Sequence, residues 1–213
     1  MKKRFNTTGS CNPAQHYMVD TSRKLAQIEE YIEEGLYFTI NRARQFGKTT
    51  TMDSLFRLLS DKYFMIKISF EGLGEEDYRE GRLFLSEFQK ILVKKIKTVS
   101  PDLADFWKTP ALSFGDLSQK VYDFCKLVNK PVVLMIDEVD KSQNNQLFLD
   151  LLGMLRNLYL ERSESGDMNS TFHSVILAGV YDVKNLKLKL RPDEERKYNS
   201  PWNIAAKFKV DMT

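Results

Sequence analysis

Between Thr21 and Glu34, Leu25, Ile28, Tyr31 and Ile32 recur at the spacing of one helical face, and Gly35 ends the pattern. The apolar run LYFTI, Leu36 to Ile40, predicts a short buried strand. After the polar turn Asn41 to Gly47, a second helical stripe opens at Lys48 and carries Met52, Leu55, Phe56, Leu58 and Leu59. Tyr63 to Phe70 predicts another strand. An acidic, glycine-containing loop, Glu71 to Arg79, leads from it into a helix from about Leu83 to Lys97, with Leu85, Phe88, Ile91 and Leu92 inward. A helix from Phe114 to Val128 precedes Pro131 and VVLMI, Val132 to Ile136. That unbroken apolar run is what a central parallel strand shows when both of its faces are covered. The helix Asn145 to Arg162 is apolar around much of its circumference, through Leu147, Phe148, Leu151, Leu152, Leu155, Leu158 and Tyr159. A loop, Ser163 to Ser170, then leads to a strand, Ser174 to Ala178, and Phe208 to Met212 predicts a last one.

Strands alternating with helices at these intervals predict an α/β sandwich around a mostly parallel sheet. At 213 residues the chain is long enough for one substantial core. We divide it into an N-terminal lead and helix, 1–35, and a core, 36–213. Hydrophobic residues at 42% and charged residues at 29% are ordinary globular values and argue against disorder. A net charge of +3 does not demand nucleic acid as a partner, although a local basic patch stays open. Cys11, Cys125, His16 and His173 lack the spacings of a zinc site or a disulfide framework, and Cys125 reads as a small buried hydrophobe on a helix face. No apolar run follows the basic start MKKRF, and Val132 to Ile136 is too short to cross a bilayer, so the expectation is a cytoplasmic protein off the membrane.

The chemistry concentrates at two places. Gly47, Lys48 and Thr49 complete the second half of the phosphate-loop pattern GxxxxGK[ST], and Arg42 stands at the position of its first glycine. In such a loop the backbone N–H groups and the following helix N-terminus surround phosphate, the lysine neutralises the β and γ oxygens, and the hydroxyl ligates magnesium. The tripeptide follows a predicted strand and opens a predicted helix, which is the arrangement this chemistry requires. Ala43, Arg44, Gln45, Phe46, Gly47, Lys48, Thr49 and Thr50 are therefore the candidate nucleotide-binding residues. Arg44 is read equally as a phosphate contact or as a solvated or acid-paired loop arginine. The second place is the end of VVLMIDE, where Asp137 is a candidate magnesium ligand with Thr49, and Glu138 a candidate base for an attacking water. Asp140 reads as a cap for the next helix.

At these residues the chain resembles the prokaryotic AAA-like, or predicted ATPase, group of P-loop AAA-type ATPases, whose phosphate loop reads R-P-R-x-F-G-K-[ST]. Ala43 replaces the proline, while Arg42, Arg44, Phe46, Gly47, Lys48 and Thr49 match. The resemblance runs from about Tyr17 to the end of the chain and includes ILAG, Ile176 to Gly179. It implies a P-loop three-layer sandwich with strand order 5-1-4-3-2, and a sensor residue near Val180, Tyr181 and Asp182, where no Asn or Thr stands. It also implies an adenine-side role for YMVD, Tyr17 to Asp20, which read by itself is ordinary core packing. The helical lid expected near SPWNIA, Ser200 to Ala205, looks absent or truncated.

The resulting expectation is a magnesium-dependent ATPase in which Lys48 and Glu138 are catalytic and nucleotide state drives a change in a protein partner or in self-association. Two alternatives stand beside it. One is a nucleotide-gated binding module with little hydrolysis. The other is the ATPase part of a nucleic-acid-acting protein using Lys184, Lys187, Lys189 and Arg191, a run that also fits an edge strand with a solvated basic face. Arg191 and Arg196 are unranked candidates for an arginine acting in trans.

Overall fold

The computed structural model describes residues 3–5, 11, 14–17, 19–41, 47–142, 145–179, 202, 204 and 206. Within them four strands form one parallel sheet: β1 (Tyr37–Asn41), β2 (Phe64–Ser69), β3 (Val132–Asp137) and β4 (Ser174–Gly179), in the order β1-β4-β3-β2. This is the 1-4-3-2 portion of the expected order. Beyond β1, Ala206 forms a parallel bridge with Phe38, its N–H donating to the Tyr37 carbonyl at 2.9 Å. The strand expected at Phe208 to Met212 lies outside the described residues.

Side chains alternate across the pleat, and two cores result. On one face Phe38, Ile40, Met65, Val133, Met135, Ile176 and Ala178 meet Ile28 and Ile32 of α1 (Ser22–Glu33) and Met52, Leu55 and Leu59 of α2 (Lys48–Leu59). On the other, Ile66, Ile68, Leu134, Ile136, Val175 and Leu177 meet three helices: α3 (Gly81–Val99), α5 (Phe114–Leu127) and α6 (Gln146–Ser165). Every residue of β3 and β4 is buried, because each strand has a neighbour on both sides and helices over both faces. Apart from the strand expected at Phe208 to Met212, the predicted elements are present, with ends displaced by one to three residues. Unforeseen were α4 (Pro101–Ala104) and the 3₁₀ turn Asp105–Lys108 after it. Their periodicity is too short to register, and their stability comes from Ala104 and Trp107 entering the core. Asn145, not Asp140, caps α6: its side chain accepts from the Leu147 N–H at 2.9 Å. Asp140 falls in the 3₁₀ turn Val139–Ser142 that precedes it. Among the described residues no helix is long and apolar enough to cross a membrane.

The amino-terminal end of the sheet is fastened by a fully buried arginine. Arg162, in the last turn of α6, donates from Nη1 to the carbonyls of Phe172 (2.8 Å) and His173, and from Nη2 to the carbonyl of Gly35. Its guanidinium also lies over the rings of Tyr37 (5.0 Å) and Tyr159 (4.9 Å). The acceptors belong to the turn before β1 and the turn before β4, so one cation joins the start of two neighbouring strands. Gly35 has φ +66, a left-handed conformation that a glycine adopts without a Cβ penalty, and a Cβ there would also come within 3.3 Å of the His173 carbonyl. His173 itself is buried, its Nε2 2.8 Å from the Ile32 carbonyl and its Nδ1 without a hydrogen-bond partner among the described residues. Burial, and next to it the charge of Arg162, hold its pKa below the usual histidine value, against the pull of the Ile32 carbonyl.

Two stability predictions follow from this end of the sheet. Arg162→Met strips a charged donor from three buried carbonyls, so the urea midpoint falls by the equivalent of roughly 3 kcal/mol with the slope unchanged. For His173 the folded state prefers the neutral ring, so below the ordinary value of 6.5 the unfolded chain binds the extra proton first and stability drops. Urea titrations between about pH 7.5 and pH 5.5 should show that loss, and His173→Gln should flatten the slope in this window.

Candidate functional site

β1 and β3 run parallel with β4 between them, so their carboxyl ends lie on the same edge of the sheet. At that edge open α/β sheets hold their ligands. β1 ends at Asn41 and α2 begins at Lys48, with Gly47 as its N-cap. Gly47 has φ +72, a conformation that favours glycine, and among the described residues nothing lies within 4 Å of where its Cβ would stand. Having no side chain, Gly47 leaves the N–H groups of the first turn of α2 without a side-chain cap, and no acidic residue stands in that turn. Such a helix start favours an anion through its oriented N–H groups and the helix dipole. Lys48, the first helical residue, is buried, whereas Thr49 is exposed.

The decisive contact crosses from α2 to the sheet. The Thr49 hydroxyl donates to Asp137 Oδ2 at 3.0 Å, and the Glu138 N–H donates to Asp137 Oδ1 at 3.0 Å. Both oxygens of this buried carboxylate are thereby fixed in direction. Glu138 follows with φ 57, the one non-glycine residue in the left-handed region among the described residues. A conformation of that kind costs on the order of 1–2 kcal/mol. It turns the chain off β3 as soon as the buried strand ends, and leaves the Glu138 side chain partly exposed.

Beside these groups opens a cavity of 360 Å³, lined by Thr49, Asp137 and Glu138 and also by Asp53, Lys67 and Lys95. Asp53 lies one turn beyond Thr49 on the same face of α2, and it forms an ion pair with Lys67 of β2. Neither residue belongs to a sequence motif. The available signal was Lys67 itself, the single charge in the otherwise apolar strand FMIKI. At the near end of β1, Asn41 Oδ1 is buried with no hydrogen-bond partner among the described residues.

The structure therefore brings together Gly47, Lys48, Thr49, Asp137 and Glu138, with Thr50 one position on. The Thr50 hydroxyl accepts from the Cys11 N–H at 3.1 Å, which seats part of the N-terminal lead against the start of α2. Arg42, Ala43, Arg44, Gln45 and Phe46 lie outside the described residues, as do Val180, Tyr181 and Asp182 and the basic run Lys184 to Arg191 with Arg196. Tyr17 and Val19 are exposed, which corrects the reading of YMVD as core packing; Tyr17 instead pairs its ring with Phe5 at 4.9 Å. Cys125 is buried in the core of α5 as expected, and burial pushes its thiol up to about 12, the nearby Arg162 acting weakly against this. Among the described residues no group of three or more His, Cys, Asp or Glu is placed to hold a metal ion by itself.

Comparison with known proteins places this architecture. No curated protein sequence matches the chain. Solved structures that resemble it at low identity include two in complex with DNA. One is Drosophila ORC bound to DNA, with TM-score 0.47 and 12% identity over 80% of each chain. The other is the Aeropyrum pernix ORC1 protein in complex with DNA, with TM-score 0.44 and 10% identity over 78% of this chain and 40% of that one. The sequence profile of the AAA-like domain matches residues 8–184. That span takes in the N-terminal lead, the Gly47–Thr49 helix start, the Asp137–Glu138 strand end and all four strands of the sheet, and by it this chain belongs to the AAA-like domain family.

Proposed function

We propose that this chain binds ATP with Mg²⁺ at the carboxyl edge of its sheet and hydrolyses it, coupling nucleotide state to a change in a protein partner or in its own association. The observation that carries the reading is the 3.0 Å contact between Thr49 Oγ1 and Asp137 Oδ2. It sets an uncapped helix N-terminus, a lysine and a buried strand-end carboxylate at one place, and those are the groups a triphosphate and its cation require.

The donor set fits the ion. A hydroxyl and a carboxylate oxygen already in contact are hard ligands of the type magnesium takes, and two protein ligands suffice for a cation that retains waters and shares phosphate oxygens. Bound Mg²⁺ supplies charge neutralisation on those oxygens. The chain does the rest. The first-turn N–H groups of α2 and the Lys48 ammonium hold and neutralise phosphate, and residues 43–46 contribute the remainder of the loop. Asp137, aimed by the Glu138 N–H, ligates the cation together with Thr49. Glu138, released from the buried strand by its left-handed turn, takes the proton of the attacking water.

Calorimetry with MgATP tests the binding step: Lys48→Ala should raise Kd roughly tenfold or more, because one charge-assisted contact to phosphate is lost. Glu138→Gln should retain ATP while turnover falls by roughly 10²–10⁴. A wild type that binds no ATP would overturn the proposal. Equal, negligible turnover in wild type and Glu138→Gln, with ATP bound in both, would leave a nucleotide-gated binding module in place of an enzyme.

A further inference from the structure

A second cavity, of 340 Å³, lies on the far layer between α3 and the segment that follows α4. Val93 and Pro110 contribute apolar surface to it, the buried Trp107 lies at its base, and Lys90, Lys94 and Lys108 stand around it. The groove is built, not incidental. Gln89, buried in the middle of α3, donates from its amide to the carbonyls of Trp107 (3.3 Å) and Thr109 (3.0 Å) and accepts from the Ala111 N–H at 2.7 Å. One side chain thus pins the wall segment across three residues. Trp107 is held from behind by Phe124, ring centroids 5.2 Å apart, and its buried Nε1–H has no hydrogen-bond partner among the described residues.

The cations are available for recognition. Lys90 and Lys108 are exposed and each pairs with a carboxylate three residues earlier, Glu87 and Asp105, both at 2.6 Å. Exposed pairs of that kind contribute at most about 1 kcal/mol and exchange readily for another anion. Lys94 is exposed and forms no ion pair among the described residues. Lys97 continues the same stripe of α3, so that positions 90, 94 and 97 carry positive charge along about 10 Å of helix.

We infer that this groove is a docking site for an acidic peptide segment of a partner protein, one that inserts an apolar side chain over Val93 and Pro110 and sets carboxylates against Lys90, Lys94 and Lys108. An apolar floor inside a cationic border matches an apolar anchor flanked by Asp or Glu. Nucleic acid suits it less, because phosphates gain nothing from the apolar floor. The lysine stripe is also longer than a small carboxylate needs. The inference is independent of the nucleotide site.

The test uses the full chain and a panel of short fluorescent peptides in which a central Leu, Ile, Phe or Trp is flanked on both sides by glutamates, read by anisotropy. At least one peptide should bind, and its affinity should fall about tenfold or more in Lys90→Glu/Lys94→Glu and in the same peptide with the anchor changed to Ser. Lys126→Glu, an exposed lysine outside the groove, should leave binding unchanged, and circular dichroism checks that the variants keep their fold. No binding by any peptide, equal binding by the double variant, or equal binding by the Ser-anchored peptide would overturn the proposal. So would duplex DNA that binds through the same two lysines more tightly than any peptide.

Discussion

A strand with helices over both faces and a neighbour on either side cannot end in a carboxylate unless that carboxylate is satisfied. Asp137 is buried at the end of such a strand, and its two oxygens are taken by the Thr49 hydroxyl and the Glu138 N–H. An unpaired ion there would cost several kcal/mol. The requirement fixes much else. It draws the first turn of α2 toward the end of β3, across the width of β4. It therefore sets where Lys48 and the uncapped N–H groups of that turn lie, and it places Glu138 at the rim of the 360 Å³ cavity.

The reach of the sequence can be judged residue by residue. β3 and β4 were legible because a strand hidden on both faces has to be apolar without alternation, and VVLMI and VILA leave no helical or amphipathic reading. α2 was legible because Met52, Leu55 and Leu59 keep helical spacing after a glycine that needs a positive φ. Asp140 looked like the cap of α6 because cap preference is a property of residue type, whereas the residue that caps is chosen by backbone geometry. The 3₁₀ turn over 139–142 consumed Asp140 and handed the role to Asn145. Tyr17 and Val19 were read as core from apolarity alone, and apolar residues are common on surfaces.

Other parts of the site were silent for a different reason. The Asp53–Lys67 pair joins α2 to β2 and exists only once the sheet has assembled, so no local pattern announces it. Arg162 occupies the last turn of a helix, where a basic residue is expected to complement the dipole from solvent. Its actual surroundings, three carbonyls and two tyrosine rings, come from the turns before β1 and β4, from Tyr37 at the start of β1 and from α6's own Tyr159. Gln89 is the same case in α3, an ordinary helix-forming residue by type that turns out to hold a wall segment in place.

Helix α3 belongs to both cavities. Lys90, Val93 and Lys94 face the groove beside Trp107, and Lys95, Thr98 and Val99, within the following turn and a half, face the cavity that Asp137 and Glu138 open into. A helix is stiff over that distance, so the two sites share one mechanical member. If occupancy of each site favours a particular setting of α3, thermodynamic linkage obliges each ligand to change the affinity for the other by the same factor.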